Sequence, residues 1–93
     1  MKALAENIKK NGITNVFGIL GGGQSLSLVD ELLKQNIVFH TTHFEASAAI
    51  MAGTIGRLTG KAGIAVSIKG PGVANMVPGL AVCSLENYPL VAI

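Results

Sequence analysis

Four short apolar runs recur along the chain, at residues 16–20, 37–39, 63–68 and 90–93, and each interval between them carries helical spacing instead. This alternation constrains the fold more than any other feature, because strands joined by helical crossovers run parallel and need helices on their faces. It predicts an α/β domain, a doubly wound parallel sheet with helices on both faces, in the order helix then strand repeated four times. Ligands of such sheets bind beyond the carboxyl ends of the strands. The loops of unusual composition, at residues 21–24, 40–45 and 69–75, all fall there.

The details follow from local chemistry. Leu4 and Ile8 lie one turn apart ahead of Asn11-Gly12, which marks a helix over residues 3–11. Val16, Phe17, Ile19 and Leu20, interrupted by Gly18 and halted by Gly21-Gly22-Gly23, read as a buried strand feeding a glycine loop. Ser25 or Ser27 is placed to cap the next helix, whose Leu28, Val29, Leu32 and Leu33 form one stripe. A helix is expected from Thr42 to about Thr59, ended by Gly60. Its Ala46, Ala49, Gly53 and Gly56 make a side almost without side chains, suited to close approach by another surface. A further helix is expected from Val73 to about Glu86, with Pro78 tolerable only in or near its first turn. Residues 90–93 read as a fourth strand with no helix after it. An uncovered apolar strand leaves an edge and a face bare, so residues 1–93 are expected to be one domain truncated at its C-terminal end.

Composition supports packed layers. Hydrophobic residues make up 49% of the chain but aromatics only 4%, with 12 glycines, so the core must come from small aliphatic side chains on closely spaced backbones. The net charge of +2 is scattered, with no basic run, which argues against nucleic-acid binding. Cys83 is the only cysteine, so no internal disulfide can form; its apolar neighbours suggest a buried thiol. No run reaches the length of a membrane span and the N-terminus lacks the pattern of a secretory signal, which makes a cytoplasmic location the default expectation.

Several residues are candidates for chemistry. The glycine loop, G-I-L-G-G-G-Q from Gly18 to Gln24, matches neither G-x-G-x-x-G nor a P-loop; it is either a tight strand-to-helix turn or a surface for a flat ring. Thr42-His43-Phe44-Glu45 has the form of a capping box, in which Glu45 satisfies a helix amide. Alternatively Glu45, set among Phe44, Ala46 and Ala48 at a ligand-bearing sheet end, is an acid that desolvation equips to hold or share a proton near neutral pH. His43 has no second histidine at helical spacing and reads as a loop residue. Lys69-Gly70-Pro71-Gly72-Val73-Ala74-Asn75 places a rigid turn and an amide at the sheet mouth, with Asn75 either a helix cap or a ligand contact. Neither nucleophilic catalysis nor metal binding by this chain has support in the sequence.

Four segments in register resemble one family, the thiamine diphosphate-dependent enzymes that include acetolactate synthase, pyruvate oxidase, glyoxylate carboligase and benzoylformate decarboxylase. They are residues 12–22 (G-I-T-N-V-F-G-I-L-G-G), 45–61 (E-A-S-A-A-I-M-A-G-T-I-G-R-L-T-G-K), 70–75 (G-P-G-V-A-N) and 88–93 (Y-P-L-V-A-I). Their order fits the N-terminal pyrimidine-binding domain. The resemblance implies that this domain holds the aminopyrimidine, and that a separate domain, absent from this chain, holds the diphosphate and Mg2+. It implies that the glutamate matching Glu45 hydrogen-bonds the pyrimidine nitrogen and so promotes loss of the thiazolium C2 proton, after which a small 2-oxo acid is attacked. Residues matching Ile19, Pro71 and Asn75 line the cofactor pocket in several relatives. FAD accompanies thiamine diphosphate in some of them.

The resemblance further implies a homodimer or homotetramer assembled through this domain, with the small face of the helix from Thr42 to Thr59 meeting its counterpart. Three positions depart from the pattern. Leu20 stands where many relatives have Pro, Phe44 where they have His, and Lys69 where a small polar residue is usual. Other readings kept open are a cofactor-binding or assembly subunit of a two-chain decarboxylase, and a nucleotide-binding α/β module suggested by the glycine loop alone.

Overall fold

In the computed structural model, which describes residues 1–93, eight elements follow in the expected order. They are α1 (Lys2–Lys10), β1 (Asn15–Gly18), α2 (Gln24–Lys34), β2 (Val38–Thr41), α3 (Glu45–Thr59), β3 (Gly63–Val66), α4 (Pro71–Leu85) and β4 (Leu90–Ala92). The four strands form one sheet in the order β2-β1-β3-β4, and every pairing is parallel. Connections leave β1 toward β2 and return past it to β3, so the winding reverses between β1 and β3. The carboxyl ends of those two strands therefore flank the crevice where such sheets take ligands.

Alternation along the strands assigns each side chain to a layer. Val16, Ile64 and Val66 point to one face, where they pack with Ala5 and Ile8 of α1 and Leu28 and Leu32 of α2. Phe17 and Ala65 point to the other, against Ala48, Ala49 and Ala52 of α3 and Met76 of α4. Helices thus cover both faces, as the alternation requires. Truncating a fully buried leucine such as Leu32 would cost about 2–5 kcal/mol.

The smooth side of α3 is used within the chain, which corrects the expectation that it meets a second copy. A Cβ on Gly79 of α4 would come 2.8 Å from Ala49 Cβ and run into Ala46 O, and one on Gly53 would meet Tyr88 Cβ at 3.2 Å. At the far end a Cβ on Gly56 would lie 2.9 Å from Gly63 N. The glycines and alanines let α3 lie almost in backbone contact with α4 and the start of β3. What α3 shows to solvent is its opposite side, including Ile50 and Met51.

Several local expectations shift for identifiable reasons. The left-handed turn after α1 belongs to Gly12 at φ +73°, while its neighbour Asn11 stays at φ −80°. β1 and β3 each end two residues early, although Ile19 N–H still donates to Val66 O at 3.2 Å. Neither serine caps α2, whose cap is Gly23; Ser25 Oγ instead donates to Gly22 O at 2.8 Å. Within its stripe Leu28 and Leu32 are buried while Leu33 faces solvent. Pro78 lies in the middle of α4, not its first turn, because the helix already begins at Pro71 after a Gly70 cap. Asn75 is consequently a residue inside that helix and not its cap.

Candidate functional site

The loop between β2 and α3 decides the position of Glu45. Thr42 is buried and its hydroxyl donates to Phe44 O at 3.0 Å, forming a short turn ahead of the helix. Phe44 is the N-cap, with extended backbone, and Glu45 is the first helical residue. The capping box is therefore not formed: Thr42 lies too early to cap, and no side chain caps α3. An acid in the first turn still interacts well with the positive end of the helix dipole.

Glu45 is half-buried, and its carboxylate takes no hydrogen bond or ion pair from any other side chain. It lies against the start of α4. A methyl group placed on Gly72 would sit 3.7 Å from Glu45 Oε1, 3.3 Å from Ser67 Cβ and 3.5 Å from Ile68 Cβ. The second glycine of G-P-G thus leaves a small cradle beside the carboxylate that any side chain would fill. Gly72 was not singled out from the sequence as a site residue; the signal for it was a glycine directly after Pro71 in the G-P-G turn, and the structure shows it buried in the first turn of α4.

The other residues implied by the resemblance lie on the same edge of the sheet. Ile19 follows β1, half-buried, and is tied to the end of β3 through its amide. Pro71 opens α4 and Asn75 stands one turn further along it, both exposed. The carboxyl edge of the sheet thus carries an acceptor on Glu45, an amide on Asn75 and apolar side chains on Ile19 and Pro71, of which the start of α4 is tied to Glu45 through Gly72. That set suits a flat heteroaromatic ring carrying both hydrogen-bond acceptors and an amino group. The loop positions His43 and Phe44, next to Glu45, are both exposed.

His40 is occupied elsewhere. Its ring stacks on Phe17 with centroids 4.9 Å apart, and Nε2 lies 2.8 Å from Asn15 Oδ1 on the neighbouring strand. No group of three or more histidine, cysteine or acidic side chains is arranged to hold a metal. Cys83 is buried, 3.4 Å from Ala49 O, and burial pushes its thiol above the usual value of 9.0. No helix is long and apolar enough to cross a membrane.

The family described as "Thiamine pyrophosphate enzyme, N-terminal TPP binding domain" matches residues 1–93. The chain belongs to that family. Its cofactor is thiamine diphosphate, the same compound under its other name. The catabolic acetolactate synthase of Raoultella terrigena is 38% identical over 90 residues, covering 97% of this chain. The acetolactate synthase of Bacillus subtilis is 37% identical over 84 residues, covering 90% of it. The acetolactate synthase large subunit of Cyanidium caldarium is 34% identical over 95 residues, covering 98%. The chain spans only 16%, 15% and 16% of those three proteins. The α/β sheet and the membership of a thiamine diphosphate-dependent family both agree with what the four registered segments implied.

Proposed function

We propose that this chain is the pyrimidine-binding part of a thiamine diphosphate-dependent lyase or transferase acting on 2-oxo acids in the manner of acetolactate synthase, with Glu45 as the cofactor-activating carboxylate. The observation that carries this reading is the position of Glu45. It is a half-buried acid at a helix start, free of protein partners, beside a glycine cradle at the carboxyl edge. An acid needed only as a cap or an ion-pair partner would be engaged as one.

When bound, thiamine diphosphate supplies the electron sink for cleaving the bond next to a ketone. In this reading Glu45 hydrogen-bonds a ring nitrogen and moves a proton to and from it. Gly72 keeps the space beside Oε1 open, Ile19 and Pro71 present apolar walls, and Asn75 orients the ring through its amide. In this reading the diphosphate and Mg2+ belong to a domain outside these residues. Self-association belongs to the same proposal. It uses the outward sides of α3 and α4, where Ile50, Met51, Val73 and Val77 are exposed, in place of the small face already filled by α4.

The test is turnover by the full-length protein, with and without thiamine diphosphate and Mg2+, on pyruvate, glyoxylate and benzoylformate. Cofactor-dependent consumption of one of them is the expected result, and its loss in Glu45→Gln with the cofactor still bound supports the assigned role. Turnover that does not depend on the cofactor, or a fully active Glu45→Gln protein, contradicts it.

A further inference from the structure

Apart from the Cys83 thiol, Thr42 carries the only polar side chain buried in this chain, at 8% exposed. Both of its hydrogen-bonding groups are committed at the mouth of the sheet. Its N–H donates to Gly18 O at 2.9 Å, just past the last register pair of β1 and β2, Gly18 with Thr41. Its hydroxyl donates to Phe44 O at 3.0 Å. That same carbonyl accepts the Ala48 N–H at 3.3 Å, the first hydrogen bond of α3. Thr42 thus joins the carboxyl end of β1 to the first turn of α3.

These commitments explain why Glu45 stays free. A capping box over T-x-x-E uses the Thr42 hydroxyl as acceptor for the Glu45 N–H, and the Thr42 N–H as donor to the Glu45 carboxylate. The N–H is taken by β1, and the hydroxyl is turned toward Phe44 O. The helix therefore opens at Glu45, with Phe44 extended before it at φ −149°, and the carboxylate is left beside Gly72. Removing the hydroxyl would strip the turn of the one side-chain hydrogen bond that shapes it and leave Phe44 O with its intrahelical bond alone.

We propose that Thr42 is a positioning residue for Glu45. The sheet and Phe44 between them occupy its N–H and hydroxyl, which keeps the Glu45 carboxylate out of a capping box and available to the cofactor pyrimidine. The proposal rests on the function assigned above and adds to it a residue that acts through Glu45.

The experiment uses the full-length protein with two readouts: amide hydrogen exchange across residues 42–48 without cofactor, and exchange of the C2 hydrogen of thiamine diphosphate bound with Mg2+. Thr42→Val keeps the shape of the side chain and removes the hydroxyl, whereas Thr42→Ser keeps the hydroxyl. In Thr42→Val the amides of the first turn of α3 should exchange faster. C2 exchange should slow roughly tenfold, short of the hundredfold that an ångström of misplacement can cost. Thr42→Ser should restore most of both. Because Thr42 acts through the carboxylate, Thr42→Val should slow C2 exchange no further in a Glu45→Gln protein. A wild-type C2 rate or unchanged amide protection in Thr42→Val overturns the proposal, as does an equal slowing with and without the Glu45 carboxylate. Thr42→Ala gives the same comparison if valine unfolds the protein. Should Glu45→Gln alone leave C2 exchange unchanged, the functional assignment fails and takes the positioning role with it; should Glu45→Gln slow exchange while Thr42→Val does not, the positioning role alone fails.

Discussion

Glu45 and Gly72 form the smallest unit of the account, an acid and the absence of a side chain beside it. Replacing Gly72 with Ala separates their roles. The added methyl meets Ser67 Cβ at 3.3 Å and Glu45 Oε1 at 3.7 Å, so the neighbours need give only slightly. Alanine in a helix is also favoured over glycine by up to about 1 kcal/mol. The expected outcome in the full-length protein is an unchanged or higher melting temperature with weaker thiamine diphosphate binding, measured by calorimetry. Cys83 gives a second prediction. Burial raises its folded-state value above the unfolded one, so the associated stability is complete below about pH 9 and is lost as the pH rises further. Thiol labelling at pH 8 should be slow in the folded protein and fast in urea, and the urea midpoint should fall from pH 9 to pH 10. At this scale the sequence showed which residue mattered but not how it was held. The pattern T-x-x-E fits a capping box in any chain; here the Thr42 hydroxyl turns to Phe44 O, which delays the helix by two residues beyond a cap at Thr42 and leaves the carboxylate free.

Among the elements, α3 and α4 are the pair whose contact is closest and least forgiving. Gly79→Ala would drive a methyl into Ala46 O and to 2.8 Å from Ala49 Cβ, with backbone on one side that cannot move aside. Overpacking of this kind costs about 1–3 kcal/mol, and chemical denaturation should show it. Pro78 predicts the reverse. It removes one backbone hydrogen bond from the middle of α4 while its ring faces solvent, so Pro78→Ala should raise the unfolding midpoint. The number, order and type of elements were legible because apolar runs of strand length alternate with helical stripes. Two things were not. The start of α4 was set by Gly70-Pro71 and not by the first apolar residue, which moved Pro78 inward and Asn75 off the cap. The small side of α3 was correctly read as a contact surface, but spacing alone cannot say whether the partner is the same chain or another, and Gly79 of α4 supplied the answer.

For the whole molecule, the winding reverses between β1 and β3, and the proposed site gathers at that edge. The chain covers about a sixth of its relatives' length, so its activity is tested in the full-length protein. The self-association we propose would use the outward side of α3, where Ile50 and Met51 are exposed. Met51→Asp should therefore shift the full-length protein toward smaller species in sedimentation and lower its activity at dilute concentration; an unchanged assembly would remove this face from the interface. The central claim concerns a proton, and the most direct measurement is the exchange rate of the C2 hydrogen of thiamine diphosphate bound to the full-length protein, followed by NMR after acid quench. Exchange should be fast in wild type and slower by roughly a hundredfold or more in Glu45→Gln, the range expected for loss of a positioned acid-base group, with the cofactor bound in both. Equal exchange in the two proteins would contradict the account and leave Glu45 an ordinary first residue of a helix.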